Sequence, residues 1–309
     1  MTEVSFVVTV FNKSKFIPQV TRAILAQRDV GPCEYIFVDD GSTDDSLDVL
    51  RKHTQGVENV NIISQKNAGP ALATNRGIEA VSSPYIKFVD GDDILHPLSA
   101  SELLKAVKNL GVDMAYSLGE EVPSNSDKMD APDTPLSGEA PRLIDDPLEA
   151  VTKKALFNLT CVLAKTEAVR SMGGCDPRVF IQDYSFALRM AERSKFALVP
   201  SILNWAPVDV DNRASGLGGG AQVLHDLNAA LGYFVADHPE LDGKLKARML
   251  QRAAGRAWKW AKREAGHSML SEHFRQYLWA HISPLSGDVS QRLLGTCEAF
   301  HQQGRVRIP

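Results

Sequence analysis

The chain has 309 residues, enough for one large or two modest domains. At 44% hydrophobic and 23% charged, with a formal net charge of -4, it reads as a soluble globular protein, and nothing global points to nucleic-acid binding. No stretch approaches the ~18 apolar residues of a membrane span. The N-terminus runs into Val4-Ser5-Phe6-Val7-Val8 without a basic leader, so no signal peptide and a cytoplasmic location are expected. Cys33, Cys161, Cys175 and Cys297 are far apart, lack paired metal spacing and read as reduced, buried thiols.

The first part alternates between strand and helix signals. Val4 to Val10 is β-branched and apolar, which predicts a buried strand. Phe16, Ile17, Val20, Ile24 and Leu25 then recur at helical spacing. Glu34 to Val38 predicts a second strand, followed by a helix capped at Ser42 or Thr43 with Asp44 and Asp45 in its first turn. Val60 to Ser64 is a third strand, Ala71 to Val81 a third helix, and Tyr85 to Asp90 a fourth strand. Repeated βα units imply a parallel sheet with helices on both faces.

Leu98 to Tyr116 predicts a further helix and strand. Pro123 to Arg142, rich in Pro, Ser and Asp, predicts a mobile surface loop over an active site. Asn158 to Ala164 resembles a strand, and Gln182 to Arg193 a helix. Gly216 to Gly220 punctuates the chain as a hinge. Beyond Ala221 the pattern is helical, with Leu224, Leu227, Leu231 and Phe234 on one face. The last ninety residues carry twelve Lys and Arg against eight Asp and Glu, opposite in sign to the rest. These basic helices offer a peripheral membrane contact at Trp258, Lys259, Trp260, Lys262 and Arg263, or a pairing surface between two subunits. On the competing view the tryptophans pack inward and the cations stay solvated.

The chemistry concentrates in carboxylates. Asp39-Asp40 ends the second strand, Asp90-Gly91-Asp92-Asp93 ends the fourth, and Asp183 opens a later helix. Strand ends of a parallel sheet share one rim, where open α/β sheets place their ligands. Oxygen-only donors favour Mg²⁺ or Mn²⁺, and a cation there suits a diphosphate. Each acid also has a structural alternative: Asp39 as a turn residue, Asp183 as a helix cap. Phe11 reads equally as core or as a platform for a base.

Five runs occur in order: Phe6-Val7-Val8-Thr9-Val10-Phe11-Asn12-Lys13, Phe37-Val38-Asp39-Asp40-Gly41-Ser42-Thr43-Asp44, Asn67-Ala68-Gly69, Ala73-Thr74-Asn75-Arg76-Gly77-Ile78 and Phe88-Val89-Asp90-Gly91-Asp92-Asp93. Together they resemble the motif series of the family 2 glycosyltransferases. The likeness is close over the first hundred residues and looser to about residue 210. It implies a GT-A (Rossmann-like) α/β fold over residues 1–215, with a nucleotide-binding half (1–98) and an acceptor half (99–215), then a helical region at 221–309. It implies an inverting, Mn²⁺- or Mg²⁺-dependent transfer from a nucleotide-sugar donor. UDP is the expected nucleotide because it is common in that family. The acceptor is expected to be a glycan or lipid-linked glycan, in polysaccharide synthesis.

By the same resemblance the donor site comprises Thr9, Phe11, Asn12, Asp39, Asp40, Asn67, Gly69, Asn75, Asp90 and Gly91. Asp40 would meet the base, Asp90 the ribose, and Asp92 the metal. Asp183 would be the catalytic base. Gln182 replaces the first acid of the family's acidic pair, and Thr74 stands where an Arg is common. His225 and Arg213 are candidates for a late residue that assists the diphosphate. His225 otherwise reads as a helix-surface residue. Two other functions share these features: a sugar-phosphate nucleotidyltransferase and a non-catalytic nucleotide-sugar-binding scaffold.

Overall fold

A computed structural model of the chain describes residues 2–130, 132–209, 220–264, 266–301 and 306–307. The strands are β1 (Val4–Val10), β2 (Cys33–Asp39), β3 (Val60–Ser64), β4 (Tyr85–Asp90), β5 (Ile94–Leu95), β6 (Met114–Val122), β7 (Arg142–Ile144), β8 (Val162–Lys165) and β9 (Phe196–Pro207). The helices are α1 (Ile17–Leu25), α2 (Ser46–His53), α3 (Pro70–Ala80), α4 (Ser99–Leu110), α5 (Pro147–Lys153), α6 (Thr166–Ser171), α7 (Gln182–Arg193), α8 (Gly220–Asp237), α9 (Gly243–Glu264), α10 (Glu272–Ile282), α11 (Val289–Gly295) and α12 (Glu298–His301).

The chain divides into two compact units. One comprises residues 1–147, 156–175 and 190–210; the other comprises 148–155, 176–189 and 211–309. All nine strands belong to the first, in the order β3-β2-β1-β4-β8-β6-β9-β5, with β7 on β9. The block β3-β2-β1-β4 is wholly parallel. β8 runs antiparallel to both its neighbours, and β6 and β9 are again parallel. This is the expected α/β sheet.

Alternation along β1 explains why helices cover both faces. Val4, Phe6, Val8 and Val10 share a core with Ile17, Val20 and Ile24 of α1, Leu50 of α2 and Leu103 of α4. Val7 points the other way, onto α3. A Cβ on Gly77 would lie 2.3 Å from a Val7 methyl, so α3 approaches the sheet closely because that position has no side chain.

Several sequence expectations shift. α2 starts at Ser46 with Asp45 as its cap residue, not at Ser42 or Thr43. The reason is competition: the Ser42 hydroxyl accepts from the Asn12 amide, and Asp44 accepts from the Ser14 and Ser46 amides. Part of the expected strand over 158–164 is a 3₁₀ turn, Leu159–Cys161, capped by the Asn158 side chain. The segment expected to be a mobile cover is fastened down. Met129 is buried, Asp133 pairs with Arg28, the Thr134 carbonyl accepts from His96 Nε2, and Ser137 bonds Ser201. Of the predicted glycine hinge, residues 216–219 lie outside the described residues, and Gly220 opens α8.

In the second unit, Trp258 and Trp260 are half-buried against Phe274 and Phe300, while Lys259, Lys262 and Arg263 are exposed. The inward packing of the tryptophans therefore holds. α8 buries a polar seam (Gln222, His225, Asp226 and Asn228) alongside Leu231 and Phe234. No helix among the described residues is long and apolar enough to cross a membrane.

Candidate active site

The parallel register brings the first carboxylates to one rim. Thr9 lies opposite Asp90, Val10 opposite Asp39, and Asp39 opposite Ser64. The Thr9 hydroxyl donates to Asp90 Oδ1 at 3.4 Å. Gly91 sits so close to the end of β1 that a Cβ there would stand 2.7 Å from the Thr9 carbonyl, and its own amide donates to that oxygen at 2.9 Å. Glycine is thus what allows the chain to turn at once after Asp90 and present Asp92.

Phe11 and Asn12 leave β1 half-buried. Asn12 adopts φ 54°, a left-handed conformation that Asn tolerates better than most residues. Its Oδ1 accepts from the Thr43 amide at 2.7 Å, binding the loop after β1 to the loop after β2. Asp39 is 2% exposed; its carboxylate accepts from the Ser42 amide and the Ser64 hydroxyl. It supports the turn, as one of its two sequence readings held.

Asp40 is more heavily engaged than its motif suggested. Oδ1 accepts from Gln65 Nε2 at 2.8 Å and the Ala68 amide at 2.9 Å. Oδ2 accepts from the Gly69 amide at 2.8 Å and Asn67 Nδ2 at 3.2 Å. A carboxylate offers about four acceptor positions, and the 65–69 loop fills them. Asp40 therefore shapes the loop that leads into α3, and a base N–H reaching it must displace one of these donors. Gly41, at φ +71°, completes the packing: a Cβ would lie 2.6 Å from the Asn67 nitrogen.

Asp92 is 5% exposed and pairs with Lys13 Nζ at 2.6 Å. Beneath this rim, Lys87 is fully buried in β4. Its ammonium donates to the Phe88 carbonyl at 3.0 Å and also to the Thr160 carbonyl. Burial pushes its pKa down to about 8, against the pull of Cys161, Asp93 and Asp90. The Thr160 hydroxyl in turn accepts from the Asp90 amide at 3.0 Å, so the 3₁₀ turn braces the end of β4.

Asn75 sits within α3, and both ends of its amide bond the backbone of Cys175, at 2.9 and 2.8 Å. Those bonds fix the 173–175 segment. Thr74 is buried, and Arg76 pairs with Glu79 on the surface.

In the second unit, Asp183 lies in the first turn of α7, next to buried Gln182. The entry to α7 is held from α8: Asp226 Oδ2 accepts from the Ile181 amide at 2.8 Å and from Gln222 at 2.9 Å. His225 bonds Asp226 Oδ1 at 2.8 Å and packs on His301. His225 is 7% exposed, so it is not the helix-surface residue its sequence context suggested. Arg213 lies outside the described residues.

A family sequence model described as "Glycosyl transferase family 2" matches residues 5–160, half of the chain. The chain belongs to glycosyltransferase family 2. One curated relative of this glycosyltransferase is the succinoglycan biosynthesis protein ExoU of Rhizobium meliloti, 34% identical over 104 residues, which cover 33% of this chain and 30% of ExoU. The chain spans only about a quarter to a third of the length of such relatives. Among solved structures, Staphylococcus aureus TarS 1-349 in complex with UDP-GlcNAc aligns with TM-score 0.67 at 12% identity, covering 99% of this chain and 93% of that one. Pyrobaculum calidifontis mannosyltransferase PcManGT, in complex with GDP-Man and Mn²⁺, aligns with TM-score 0.55 at 16% identity, covering 97% and 85%. At these identities the likeness establishes the GT-A fold. Family membership and the glycosyltransferase relatives support the glycosyltransferase reading.

The donor set of this glycosyltransferase fits a divalent cation that arrives with a diphosphate. Among the described residues no three His, Cys, Asp or Glu side chains converge on one point. Mg²⁺-type ions need only one or two carboxylates when substrate phosphates and water complete the shell. The Asp90-Gly91-Asp92 turn supplies such oxygens, and Asp92 already faces a cation in Lys13. Lys13, Gln65, Lys87, Thr160 and Asp226 carried no role in the sequence reading. Each has a partner far off in the chain (Asp92 for Lys13, Asp40 for Gln65, Thr160 for Lys87, Asp90 for Thr160, Ile181 for Asp226), which no local spacing reveals.

Proposed function

We propose that this glycosyltransferase is an inverting, metal-dependent enzyme that moves a sugar from a UDP-sugar to a hydroxyl of a glycan or lipid-linked glycan, in the cytoplasm, during polysaccharide synthesis. The observation that carries this reading is the rim where Thr9, Asp39, Asp40, Asp90 and Asp92 gather at the carboxyl ends of β1, β2 and β4. The UDP-GlcNAc bound to TarS supports the choice of donor, and the name of ExoU supports the pathway class.

In this reading Phe11 flanks the base, and the loop shaped by Asp40, with Asn12, Asn67 and Gly69, walls the nucleotide. Asp90 receives the ribose beside Gly91. Asn75 acts at one remove, by holding its segment of the scaffold. Asp92 would hold Mn²⁺ or Mg²⁺, which supplies Lewis-acid stabilisation to a departing nucleoside diphosphate. The acceptor oxygen attacks the anomeric carbon from the face opposite the diphosphate. A new C–O bond forms as the bond to phosphate breaks, and the electron pair leaves with the diphosphate. Asp183 takes the acceptor's proton. One displacement gives inversion.

A thermal-shift panel of nucleoside diphosphates and UDP-, GDP- and dTDP-sugars, with and without Mn²⁺, tests the donor assignment. Selective stabilisation by UDP-sugars with metal is expected, because a ligand that binds the folded state raises its stability. Equal response to all, or to none, would overturn it.

A further inference from the structure

Six large apolar side chains stand in solvent between positions 269 and 285 of the second unit: Met269 (66%), Leu270 (88%), Leu278 (41%), Trp279 (52%), Ile282 (72%) and Leu285 (52%). Three of them form a stripe on α10. Leu278, Trp279 and Ile282 lie at helical spacing with Arg275, whereas His273 and Ala280 on the opposite side are the buried residues. A surface helix normally turns polar residues outward; α10 turns Leu278, Trp279 and Ile282 outward instead. An open groove of about 710 Å³ between α9, α10 and α11 continues the apolar surface inward, past Leu250 and Ala254.

Charge selects the occupant. α9, which packs on α10, carries eight Lys and Arg and a single acid, Glu264. Arg252, Lys259, Lys262 and Arg263 are exposed, and the last two lead into the segment that projects Met269 and Leu270. A second copy of the chain would bring the same cationic helix against itself. An anionic lipid surface instead satisfies both features: phosphates meet the cations, and the side chains enter the headgroup–acyl boundary, where Trp is favoured.

We propose that α10 and the 266–271 segment, with Lys262 and Arg263 at the end of α9 just ahead of it, dock the enzyme peripherally on an anionic lipid bilayer. The apolar contact is thus made by Leu270, Trp279 and Ile282, not by Trp258 and Trp260, whose rings pack inward.

Sedimentation of the full chain with phosphatidylcholine vesicles, with and without phosphatidylglycerol, tests the docking face without requiring turnover, so it stands or falls apart from the donor reading. The parent should sediment with the anionic vesicles and be partly released by salt. Both Leu270→Ser/Ile282→Ser and Lys259→Gln/Lys262→Gln/Arg263→Gln should weaken vesicle binding at least about tenfold, with melting temperatures unchanged. Brominated acyl chains should quench the parent's fluorescence, and Trp279→Phe should lose that quenching. Absence of binding to anionic vesicles would overturn the proposal. So would binding undiminished in both multiple variants, or a solution dimer that Ile282→Ser dissociates and vesicles do not displace.

Discussion

Lys13 and Asp92 form an ion pair at 2.6 Å at the rim of the sheet, with side chains only 14% and 7% exposed. They come from the loops after β1 and β4, 79 positions apart. The pair gives Asp92 a counter-charge before any ligand arrives. It also sets Lys13 in competition with any cation for the same carboxylate.

Lys13→Met should therefore have two opposite effects. Affinity for Mn²⁺ alone should rise several-fold, toward about tenfold, since the competing ammonium is gone. Affinity for UDP without metal should fall, because a fixed cation beside the phosphates is lost. Titration of free Mn²⁺ by electron paramagnetic resonance and calorimetry with UDP give the two numbers. Unchanged Mn²⁺ affinity would show that the pair does not guard the site.

Asp40 and Asp92 should separate by what they break. Asp40→Asn places an amide opposite donors from the 65–69 loop and leaves some of them unmatched. The expected cost is on the order of 2 kcal/mol or more in stability, with nucleotide binding lost at the same time. Asp92→Asn, which leaves Lys13 a neutral acceptor in place of its counter-charge, should cost less stability than Asp40→Asn while abolishing the Mn²⁺-dependent part of UDP binding. Thermal melts and calorimetry on the two variants give the contrast.

Asp183→Asn should lower kcat by roughly 10²–10⁴-fold while the donor KM stays near the parent value, as removal of a general base requires. Asp226→Asn should lower kcat less, since Asp226 acts at one remove, holding the Ile181 amide ahead of α7 and bonding Gln222 and His225. A steady-state series in donor at saturating acceptor separates the two. A large rise in donor KM with unchanged kcat in Asp183→Asn would remove it from the proton-transfer role.

Much of this site was legible because it depends on short-range pattern. β-branched runs marked β1 and β4, and the Asp residues after the strands marked the rim. Parallel pairing then did the rest, since it places successive strand ends on one edge. What escaped notice depended on distance in the chain or on competing turn chemistry. β9 (Phe196–Pro207) is twelve residues long but is interrupted by Pro200, which weakens a strand pattern. The start of α2 moved because Ser42 and Asp44 serve neighbouring loops. The segment after Pro123 has the composition of a free loop, yet it is fixed by Arg28, His96 and Ser201, all remote in sequence.

Lys87 gives the enzyme a distinctive alkaline signature. Burial lowers its pKa from 10.5 to about 8. Between those values the unfolded chain retains a proton that the folded chain has lost, so this residue's contribution to stability rises with pH across that window and is flat on either side. Lys87→Met removes the titration. The difference in unfolding free energy between parent and variant should thus move in the parent's favour by on the order of 3 kcal/mol as pH rises through the window. Urea unfolding of both proteins just below pH about 8 and near pH about 10 measures it. A difference independent of pH would mean that the ammonium keeps its proton, held by the carbonyls of Phe88 and Thr160 and by the acids of the rim above it.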